Sequence, residues 1–389
     1  MQLTVAPFDD EIQLERLRRR TSQKWRRYPS HILPLFVAES DFPTPPNVAK
    51  ALYEAIDEGD LGYAEPGNVG EAFGSFSKER FGYEPNPHDV IAVPEVMVGA
   101  AEIFRIITEP GDRIVINPPV YPPFFMTIGE VRRDIEEVPL RKADATYELD
   151  FDALENAFKN GARAYLFCNP HNPVGRSWSR DDVVRVAKLA ERYGVAVIAD
   201  EIHAPLMLPG ATHTPFESVV QQTGVNAITM TSASKGWNIA GLKCALAIAS
   251  SKWGREVFAK LPEELPERVG HLGVIATRQA FANDVPYLDR VVAHLDLQRA
   301  NLQSLLEEYG LQKIRYAPPQ AGYLAWLDCT GLGLDQEPAT VFFKRGKVAL
   351  YPGRRFGKEG AAHVRFNFAT SSAVVEEAVK RMSDAVKGH

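Results

Sequence analysis

Thr231-Ser-Ala-Ser-Lys-Gly-Trp-Asn-Ile-Ala-Gly-Leu-Lys243 is the stretch that decides the fold, and it follows the short apolar run Ala227–Thr231. The apolar run is β-branched enough to predict a buried strand. Ser232 and Ser234 place hydroxyls just before Lys235, and the stretch ends on a second lysine. A lysine on a tight turn can form a Schiff base with a carbonyl compound, and hydroxyls beside a cation suit a phosphate. Pyridoxal 5′-phosphate is the cofactor that is both an aldehyde and a phosphate, but such a stretch taken alone is more often a solvated lysine in a Ser/Gly turn, so the rest of the chain must decide.

The composition is that of an ordinary globular chain. Of its 389 residues, 45% are hydrophobic and 24% are charged, which is typical of water-soluble domains. The formal net charge is −6 and no basic stripe is visible, so nucleic-acid binding is not expected. No apolar run approaches the length of a membrane span, and the first residues lack a secretory signal pattern. We therefore expect a cytoplasmic protein that binds neither nucleic acid nor membrane.

The cysteines and histidines exclude two further classes of site. The three cysteines, Cys168, Cys244 and Cys329, lie far apart without a C-x-x-C pair. This spacing argues against a disulfide framework or a zinc site and is typical of a reducing compartment. The nine histidines do not fall at metal-ligand spacing with acidic residues, so no metal site is expected.

Short apolar strands alternate with helical segments between residues 89 and 250. The predicted strands are Val90–Val93, Arg113–Asn117, Ala164–Cys168, Val195–Ala199, Ala227–Thr231 and Cys244–Ala249. This alternation predicts an α/β fold with a mostly parallel sheet between helices, and such sheets bind ligands at the carboxyl ends of their strands. The proline-rich break before residue 47 and the change in pattern after residue 285 predict two domains. The large one covers 47–285, and 1–46 and 286–389 together form a smaller α/β domain.

Several local elements are also predicted. A charged helix is expected over residues 11–28, followed by an apolar strand-like run that begins at Ile32 and ends in the proline-rich break. A helix is expected from Asn47, as its cap, to Glu58. Ser179 is expected to cap a helix that ends at Tyr193. A long helical pattern then follows Pro286 and continues to Gly310.

Two strand ends of the predicted sheet carry candidate cofactor-binding residues. Asp200 comes directly after a buried strand, where its carboxylate could hold a protonated pyridine nitrogen; a helix cap or a salt bridge is the alternative. His203 could hydrogen-bond the phenolic oxygen of the cofactor, or be an ordinary satisfied polar neighbour. Asn172 lies between two prolines that stiffen its turn, and its amide could donate to the same oxygen or to a substrate carboxylate. A plain turn asparagine is the alternative interpretation of Asn172.

Three more positions complete the predicted constellation. Residues 94–101 lead from a strand into a helix, whose first backbone N–H groups are suited to a phosphate. Tyr121 lies on a proline-rich loop after a strand, where its ring could stack on a pyridine ring or simply pack in the core. Arg365 and Asn367 alternate with apolar residues on a predicted strand. The arginine is well suited to a bidentate clamp on a carboxylate, and a structural ion pair is the alternative.

The order of these motifs resembles that of the fold-type I, aminotransferase class I/II-like pyridoxal phosphate enzymes. The motifs are Asn-Pro-x-Asn-Pro-x-Gly, an aspartate at the next strand end, Ser-x-Ser-Lys and a late arginine, and they span nearly the whole chain. Five strings look like one branch of these enzymes, the MalY/PatB-type cystathionine β-lyases, also called cysteine–sulfur-conjugate β-lyases. The strings are Lys24-Trp25, 33–42, 168–173, 200–206 and 234–238.

The resemblance implies a role for each matching position. Lys235 is the implied Schiff-base lysine and catalytic base. The implied cofactor-binding residues are Met97, Val98, Tyr121, Asn172, Asp200, His203, Ser232, Ser234, Lys235 and Lys243, with Tyr63 reaching the cofactor of a partner subunit. The implied substrate-binding residues are Ala38, Asn172 and Arg365. Because Tyr63 acts across an interface, the resemblance also implies a homodimer.

Two departures from the family pattern bear on substrate preference. The family often has Ala-Asp-Met-Asp where this chain has Ala38-Glu-Ser-Asp41, and Gly-Thr-Tyr where it has Ala321-Gly-Tyr323. Both strings lie toward the substrate side, so they concern which thioether is preferred.

The function that the resemblance implies is a carbon–sulfur β-lyase that converts cystathionine or another S-substituted cysteine to pyruvate, ammonia and a thiol. The absence of a second arginine at a position that would read a dicarboxylate side chain also favours this reaction. One alternative is an aminotransferase that uses the same residues. A second is a pyridoxal-phosphate-binding regulatory protein with weak lyase activity.

Overall fold

Helices and strands alternate through most of the chain. The structure is a computed structural model that describes residues 8–144 and 146–387. The described helices are α1 (Leu14–Leu17), α2 (Gln23–Arg26), α3 (Pro46–Asp57), α4 (Val69–Phe81), α5 (Val96–Ile107), α6 (Pro122–Glu130), α7 (Phe151–Lys159), α8 (Arg180–Tyr193), α9 (Glu217–Thr223), α10 (Lys252–Phe258), α11 (His271–Asn283), α12 (Val285–Glu308), α13 (Pro338–Lys344) and α14 (Ser372–Lys387). The described strands are β1 (Leu33–Pro34), β2 (Val90–Val93), β3 (Arg113–Ile116), β4 (Asp134–Glu137), β5 (Arg141–Ala143), β6 (Thr146–Glu148), β7 (Ala164–Cys168), β8 (Ala196–Asp200), β9 (Ala227–Thr231), β10 (Ala245–Ile248), β11 (Arg315–Tyr316), β12 (Leu324–Asp328), β13 (Val348–Ala349), β14 (Tyr351–Pro352) and β15 (His363–Asn367).

The main sheet positions the site. Its seven described strands lie in the order β2-β10-β9-β8-β7-β3-β4, and only β10 is antiparallel to its neighbours. Every residue of β7, β8 and β9 is buried, which explains their continuous apolar sequences. Cys168 pairs with Asp200, and Asp200 pairs with Met230, so these three strands end at one edge. The predicted α/β fold with a mostly parallel sheet is therefore confirmed.

Local helix signals placed two helices correctly. Ser179 accepts from the Asp182 backbone N–H, and the Asp182 side chain bonds back to Ser179 N, so a capping box begins α8. The helix ends at Gly194, whose φ of 66° lies in the left-handed region that favours glycine. The long helix predicted after Pro286 is α12, which spans 24 residues.

The prediction of one charged helix over residues 11–28 is wrong. The chain instead forms α1 and α2, separated by a turn. The Arg20 guanidinium turns away to donate to the carbonyl oxygens of Asp41 (3.0 Å) and Phe42 (3.1 Å). Lys24 and Trp25 both point into the interior and donate to Asp41. These long-range contacts, rather than an amphipathic helix face, determine the local conformation.

Two other expectations near the first domain break are also corrected. Of the apolar run that begins at Ile32, only β1 pairs as a strand, in parallel with β13. Asn47 does not cap α3, because the helix begins one residue earlier at Pro46. Its side chain donates instead to Asp284 at the start of α12.

The sequence reading also missed the edge strand β4. Its residues are Asp-Ile-Glu-Glu, and none of them is fully buried. Charged side chains are common on edge strands because they discourage pairing with another chain, but they hide the apolar signal of a strand.

A second sheet is formed by the last part of the chain. Its four strands lie in the order β11-β12-β15-β14 and are all antiparallel. One hydrophobic cluster combines residues of this sheet with residues of α4, α11 and α12. It also includes residues of the turn that carries Lys235, residues 232–239, which we call the Lys235 turn. The division into domains at residues 46 and 285 stays a prediction, and residues 1–7 of the proposed small domain lie outside the described residues.

Candidate active site

A cavity lies at the edge where β7, β8 and β9 end. Its empty volume is about 780 Å³ when its open mouth is included. It is lined by residues from the turns after these strands, from the start of α5 and from the loop after β1. The predicted site residues among its lining are Ala38, Met97, Tyr121, Asn172, Asp200, His203, Ser232, Ser234 and Lys235.

Lys235 extends its amine across the cavity to the loop after β1. Its Nζ donates to the Ala38 carbonyl oxygen at 3.0 Å, and the Tyr323 hydroxyl donates to the same oxygen at 3.0 Å. Burial of the amine and the positive charge of Arg365 lower the pKa of Lys235 to about 8, although Asp200 opposes this shift. A substantial fraction of the amine is therefore unprotonated at mildly alkaline pH, as a nucleophile or a general base requires.

Asp200 places a buried carboxyl group at the carboxyl end of β8. Its Oδ1 accepts from the Ile202 backbone N–H at 3.1 Å. Burial raises the pKa of this carboxyl to about 7, although the Ile202 N–H and the Lys235 charge both favour the ionised form. A buried carboxyl whose only described hydrogen-bond partner is one backbone N–H is suited to a cationic partner in the cavity.

His203 lies on the same side of the site as Asp200 and is buried. Its Nδ1 has no hydrogen-bond partner among the described residues. Burial and the charges of Lys235 and Arg365 lower its pKa to about 3, so the ring is neutral at physiological pH. Gly322, with a φ of +76°, packs close to the ring, and a Cβ there would lie 3.3 Å from Nδ1. The site therefore provides a neutral, buried imidazole in the same cavity as Asp200 and Lys235.

Arg365 and Asn172 meet although they lie far apart in sequence. Arg365 is 2% exposed, and it donates to Asn172 Oδ1 (3.1 Å) and to the Phe36 carbonyl oxygen (3.0 Å). Its Nε has no partner among the described residues, and its guanidinium lies over the rings of Tyr351 and Phe356. Burial lowers the pKa of Arg365 to about 10, so it remains a cation at neutral pH. A buried cation without a carboxylate partner is well suited to an anionic ligand.

The start of α5 and the turn after β9 bring together groups that suit an anion. The first turn of α5 carries no side-chain cap, so its leading N–H groups stay available, and Met97 lines the cavity while Val98 does not. The hydroxyls of Ser232 and Ser234 lie 2.7 Å apart. The ammonium of Lys243 lies beyond them and pairs with Glu95. Backbone N–H groups, hydroxyls and a nearby ammonium form a typical phosphate site.

Tyr63 is the one predicted site residue that lies far outside this cavity. It is 87% exposed and follows α3, on which Tyr53 and Ile56 are also exposed. Leu61, between α3 and Tyr63, is also exposed. The predicted contact of Tyr63 with a partner subunit stays a prediction.

Two residues near Lys235 were not identified as site residues from the sequence. Tyr323 was noted only as part of a string that departs from the family, and Asn238 only as part of a string that matches it. Both lie on elements whose approach to residues 36–42 is set by the tertiary structure. No spacing rule connects positions separated by about 200 or more residues.

The site fits pyridoxal 5′-phosphate on several independent observations. It combines an anion-binding helix start and two hydroxyls with the Asp200 carboxyl, the neutral His203 ring and a lysine amine of lowered pKa. These groups match the phosphate, the ring nitrogen, the phenolic oxygen and the aldehyde of that molecule.

The described residues hold no helix long and apolar enough to cross a membrane. They also hold no group of histidine, cysteine and acidic side chains placed to bind a metal.

Comparisons with known proteins agree with this geometry. A cystathionine beta-lyase from Corynebacterium glutamicum is 34% identical over 378 residues, covering 96% of this chain and 99% of that protein. The cystathionine beta-lyase PatB of Bacillus subtilis is 34% identical over 358 residues, covering 91% and 92%. The crystal structure of cystalysin from Treponema denticola, which contains pyridoxal 5′-phosphate, superposes with a TM-score of 0.89 at 29% identity, covering 95% and 97%.

The family comparison covers nearly the same length. Residues 30–382 match the family described as aminotransferase class I and II. Together with the two lyases, this match confirms the resemblance found in the sequence motifs. The chain therefore belongs to the aminotransferase class I and II family, and its relatives include cystathionine beta-lyases.

Proposed function

We propose that the protein is a pyridoxal-phosphate-dependent carbon–sulfur β-lyase that cleaves S-substituted cysteines to pyruvate, ammonia and a thiol. The observation that carries the proposal is the Lys235 amine, which lies in one cavity with the Asp200 carboxyl and has its pKa lowered to about 8. The names of the relatives from C. glutamicum and B. subtilis support the reaction, and the cofactor in cystalysin supports its chemistry.

When bound, pyridoxal phosphate supplies a carbonyl for the substrate's amino group and a ring that accepts the electrons released at Cα. The start of α5, Ser232, Ser234 and Lys243 would hold its phosphate. Asp200 would hold the proton of its ring nitrogen, and Asn172 and His203 would approach its phenolic oxygen. Tyr121 lines the same cavity and would cover one ring face.

The substrate's carboxylate has an evident partner in Arg365. The guanidinium is buried, charged and fixed by its bonds to Asn172 and to the Phe36 carbonyl oxygen. These bonds hold the Arg365 guanidinium in one orientation before the substrate binds. Substrate binding therefore does not carry the entropy cost of ordering this side chain. The clamp orients the Cα–H bond relative to the lysine that must remove the proton.

Lys235 performs the proton transfer. Its unprotonated amine takes the Cα proton, and the thiolate then departs from Cβ with the electron pair of the broken carbon–sulfur bond. The thiolate takes up a proton to become the free thiol. Hydrolysis of the remaining amino-acrylate yields pyruvate and ammonia, so one water is consumed for each substrate cleaved.

The proposal predicts stoichiometric products without a keto acid. Purified protein loaded with pyridoxal phosphate should convert cystathionine or S-methylcysteine into equal amounts of pyruvate, ammonia and thiol over many turnovers. An aminotransferase would stop after one turnover until a keto acid restored its cofactor. Coupled lactate dehydrogenase measures the pyruvate, and a thiol reagent measures the thiol. Turnover that depends strictly on a keto acid and releases no thiol would overturn the lyase proposal.

We also propose that the working unit is a homodimer. The exposed apolar residues of α3 and of the loop after it, Tyr53, Ile56, Leu61 and Tyr63, support this proposal, since such clusters usually mark interfaces. In this arrangement Tyr63 of one subunit completes the site of the other.

A cytoplasmic location is proposed as well, supported by three buried free cysteines, which fit a reducing compartment.

Mixing two inactive variants should test the shared site. Lys235→Ala and Tyr63→Ala lose different halves of a composite site, so a mixed dimer contains one intact site. After random subunit exchange, the mixture should regain up to about a quarter of the wild-type activity. A mixture of Lys235→Ala with Asp200→Asn is the matched control, because both residues belong to the same subunit's site and no intact site forms. Equal recovery in both mixtures, or a fully active monomer by sedimentation, contradicts the shared site.

A further inference from the structure

The Ala38 carbonyl oxygen, on which Lys235 and Tyr323 converge, belongs to a segment with little regular structure. This segment, residues 36–42, follows β1 and makes no strand pairing of its own. Its position depends on groups from elsewhere that bond to its backbone, one of which is the Ala369 carbonyl oxygen that accepts from the Asp41 N–H at 2.9 Å. Asn367 donates through Nδ2 to the carbonyl oxygens of Val37 and Glu39, each at 2.7 Å. The 36–42 segment is therefore held by its partners rather than by its own conformation.

Asn238 is the partner that comes from the Lys235 turn itself. Its Nδ2 donates to the Ser40 carbonyl oxygen at 2.9 Å, and its Oδ1 accepts from the Ser40 backbone N–H at 3.0 Å. The amide thus imitates one rung of a β-ladder, two residues from Ala38. Asn238 lies three residues after Lys235, so one turn carries both the reactive amine and the side chain that holds the facing segment.

The backbone at Asn238 is adapted to this task. Its φ is +56°, in the left-handed region that residues other than glycine, asparagine and aspartate rarely adopt. Glycine would adopt this backbone conformation but would offer no side-chain amide. Asparagine therefore provides both the left-handed backbone and the amide that bonds Ser40, and substitution by glycine removes only the amide.

A buried ion pair holds the segment from its other side. Lys24 and Asp41 are both within the interior, with Nζ and Oδ2 2.8 Å apart, and Lys24 also donates to the Glu39 carbonyl oxygen at 3.1 Å. Trp25 Nε1 donates to the second carboxylate oxygen of Asp41 at 2.8 Å. With this end anchored, the Asn238 amide sets how closely the segment approaches Lys235.

We propose that Asn238 is a positioning residue that holds the 36–42 segment in register with Lys235 and Arg365, so that the segment's backbone and the arginine receive the substrate carboxylate together. Arg365 supports this arrangement because it donates to the Phe36 carbonyl oxygen at the other end of the segment. The inference rests on the proposed function, since it concerns the same substrate carboxylate.

The test compares Asn238→Ala and Asn238→Gly with Asn47→Ala in protein loaded with cofactor. Asn47 is the matched control, because its side chain also joins distant segments, through Asp284, but lies on α3 outside the cavity lining. Loss of both amide bonds should raise KM for S-methylcysteine about tenfold and change kcat less than about threefold, in both Asn238 variants. Rates are expressed per bound cofactor, so that misfolded protein does not count.

Calorimetric binding of 3-(methylthio)propanoate provides a second measurement that needs no turnover. This acid carries the substrate's carboxylate and thioether but has no amino group. Its Kd should rise about tenfold in both Asn238 variants and remain unchanged in Asn47→Ala.

Each outcome separates the proposals. Asn238→Gly that equals wild type in KM and Kd would show that only the left-handed backbone matters, and would overturn the inference. A fall in kcat with unchanged KM and Kd would also overturn it, because it would show that Asn238 acts on the chemical step and not on substrate binding. If wild type proves inactive as a lyase while the Kd still rises in both variants, the proposed reaction fails and the positioning role stands.

Discussion

Lys235→Ala should lose turnover by on the order of 10⁴-fold, the largest effect expected of any single substitution in this protein. The change removes the only amine among the residues that line the cavity. By the proposed mechanism it therefore removes both the covalent anchor of the cofactor and the base that takes the Cα proton. The variant should fold, because the amine's one described hydrogen bond is to the Ala38 carbonyl oxygen, which keeps its bond from Tyr323.

Borohydride reduction and peptide mapping provide the decisive measurement for Lys235. In wild type, the reduced cofactor should be attached to the peptide that contains Lys235, and in the variant no attachment should remain. Lys252→Ala is the matched control, since Lys252 lies on the surface with an 88% exposed side chain and should change nothing. A cofactor adduct on another lysine in wild type contradicts the assignment.

Asp200→Asn should lower turnover by on the order of 10²- to 10³-fold while making the cofactor-free protein more stable. The amide cannot carry the negative charge that stabilises a protonated ring nitrogen. In the cofactor-free protein, however, the buried carboxyl is costly, because burial raises its pKa from 3.8 to about 7. The expected gain in the free energy of unfolding is on the order of 2 kcal/mol at pH 8. It is less than the raised pKa alone would give, because the variant also loses the attraction to Lys235.

The sign of the pH dependence makes this prediction specific. A carboxyl whose pKa is higher in the folded than in the unfolded state destabilises the fold fully above pH 7, and the cost disappears as the pH falls toward 3.8. The stability gain of Asp200→Asn should therefore be larger at pH 8 than at pH 5, as measured by urea unfolding of the cofactor-free proteins.

Glu217→Gln is the matched control for Asp200→Asn. Burial raises the pKa of Glu217 to about 8, but this residue lies outside the cavity lining and accepts from the Ser250 N–H. It should show a similar stability gain with full activity. Near-wild-type turnover in Asp200→Asn would mean that Asp200 is only structural.

The parts of the fold and site that follow local rules could be predicted from the sequence. The buried strands β7, β8 and β9 are short apolar runs, and the polar residue at or after the end of each one lines the cavity. Asp200, Asn172 and Lys235 were therefore found by their positions relative to strands. The helix that Ser179 caps was predicted from its first turn and from Gly194 just past its end, because capping depends on residues close in sequence.

The parts that depend on tertiary contacts could not be predicted in the same way. The region of α1 and α2 has the charge pattern of one helix, but Arg20 and Lys24 bond to residues of the 36–42 segment instead. Tyr323 reaches the Ala38 carbonyl oxygen across 285 residues of chain. Asn238 matched a family string, but its bond to Ser40 became visible only when the two segments were placed side by side. Periodicity describes which face of an element is buried, and it does not describe which distant segment covers that face.

The bonds that hold the 36–42 segment also bear on the order in which the chain is made. The segment is synthesised well before two of its fixed partners, Arg365 and Asn367, which lie 329 and 330 residues after the residues whose carbonyl oxygens they bond. The main sheet can form from residues 90–248 while those partners are still missing. We therefore expect the cofactor-binding half of the cavity to assemble on the nascent chain. The half proposed to receive the substrate carboxylate cannot assemble until residues 365–367 have been synthesised, so a chain cut before them is not expected to be active.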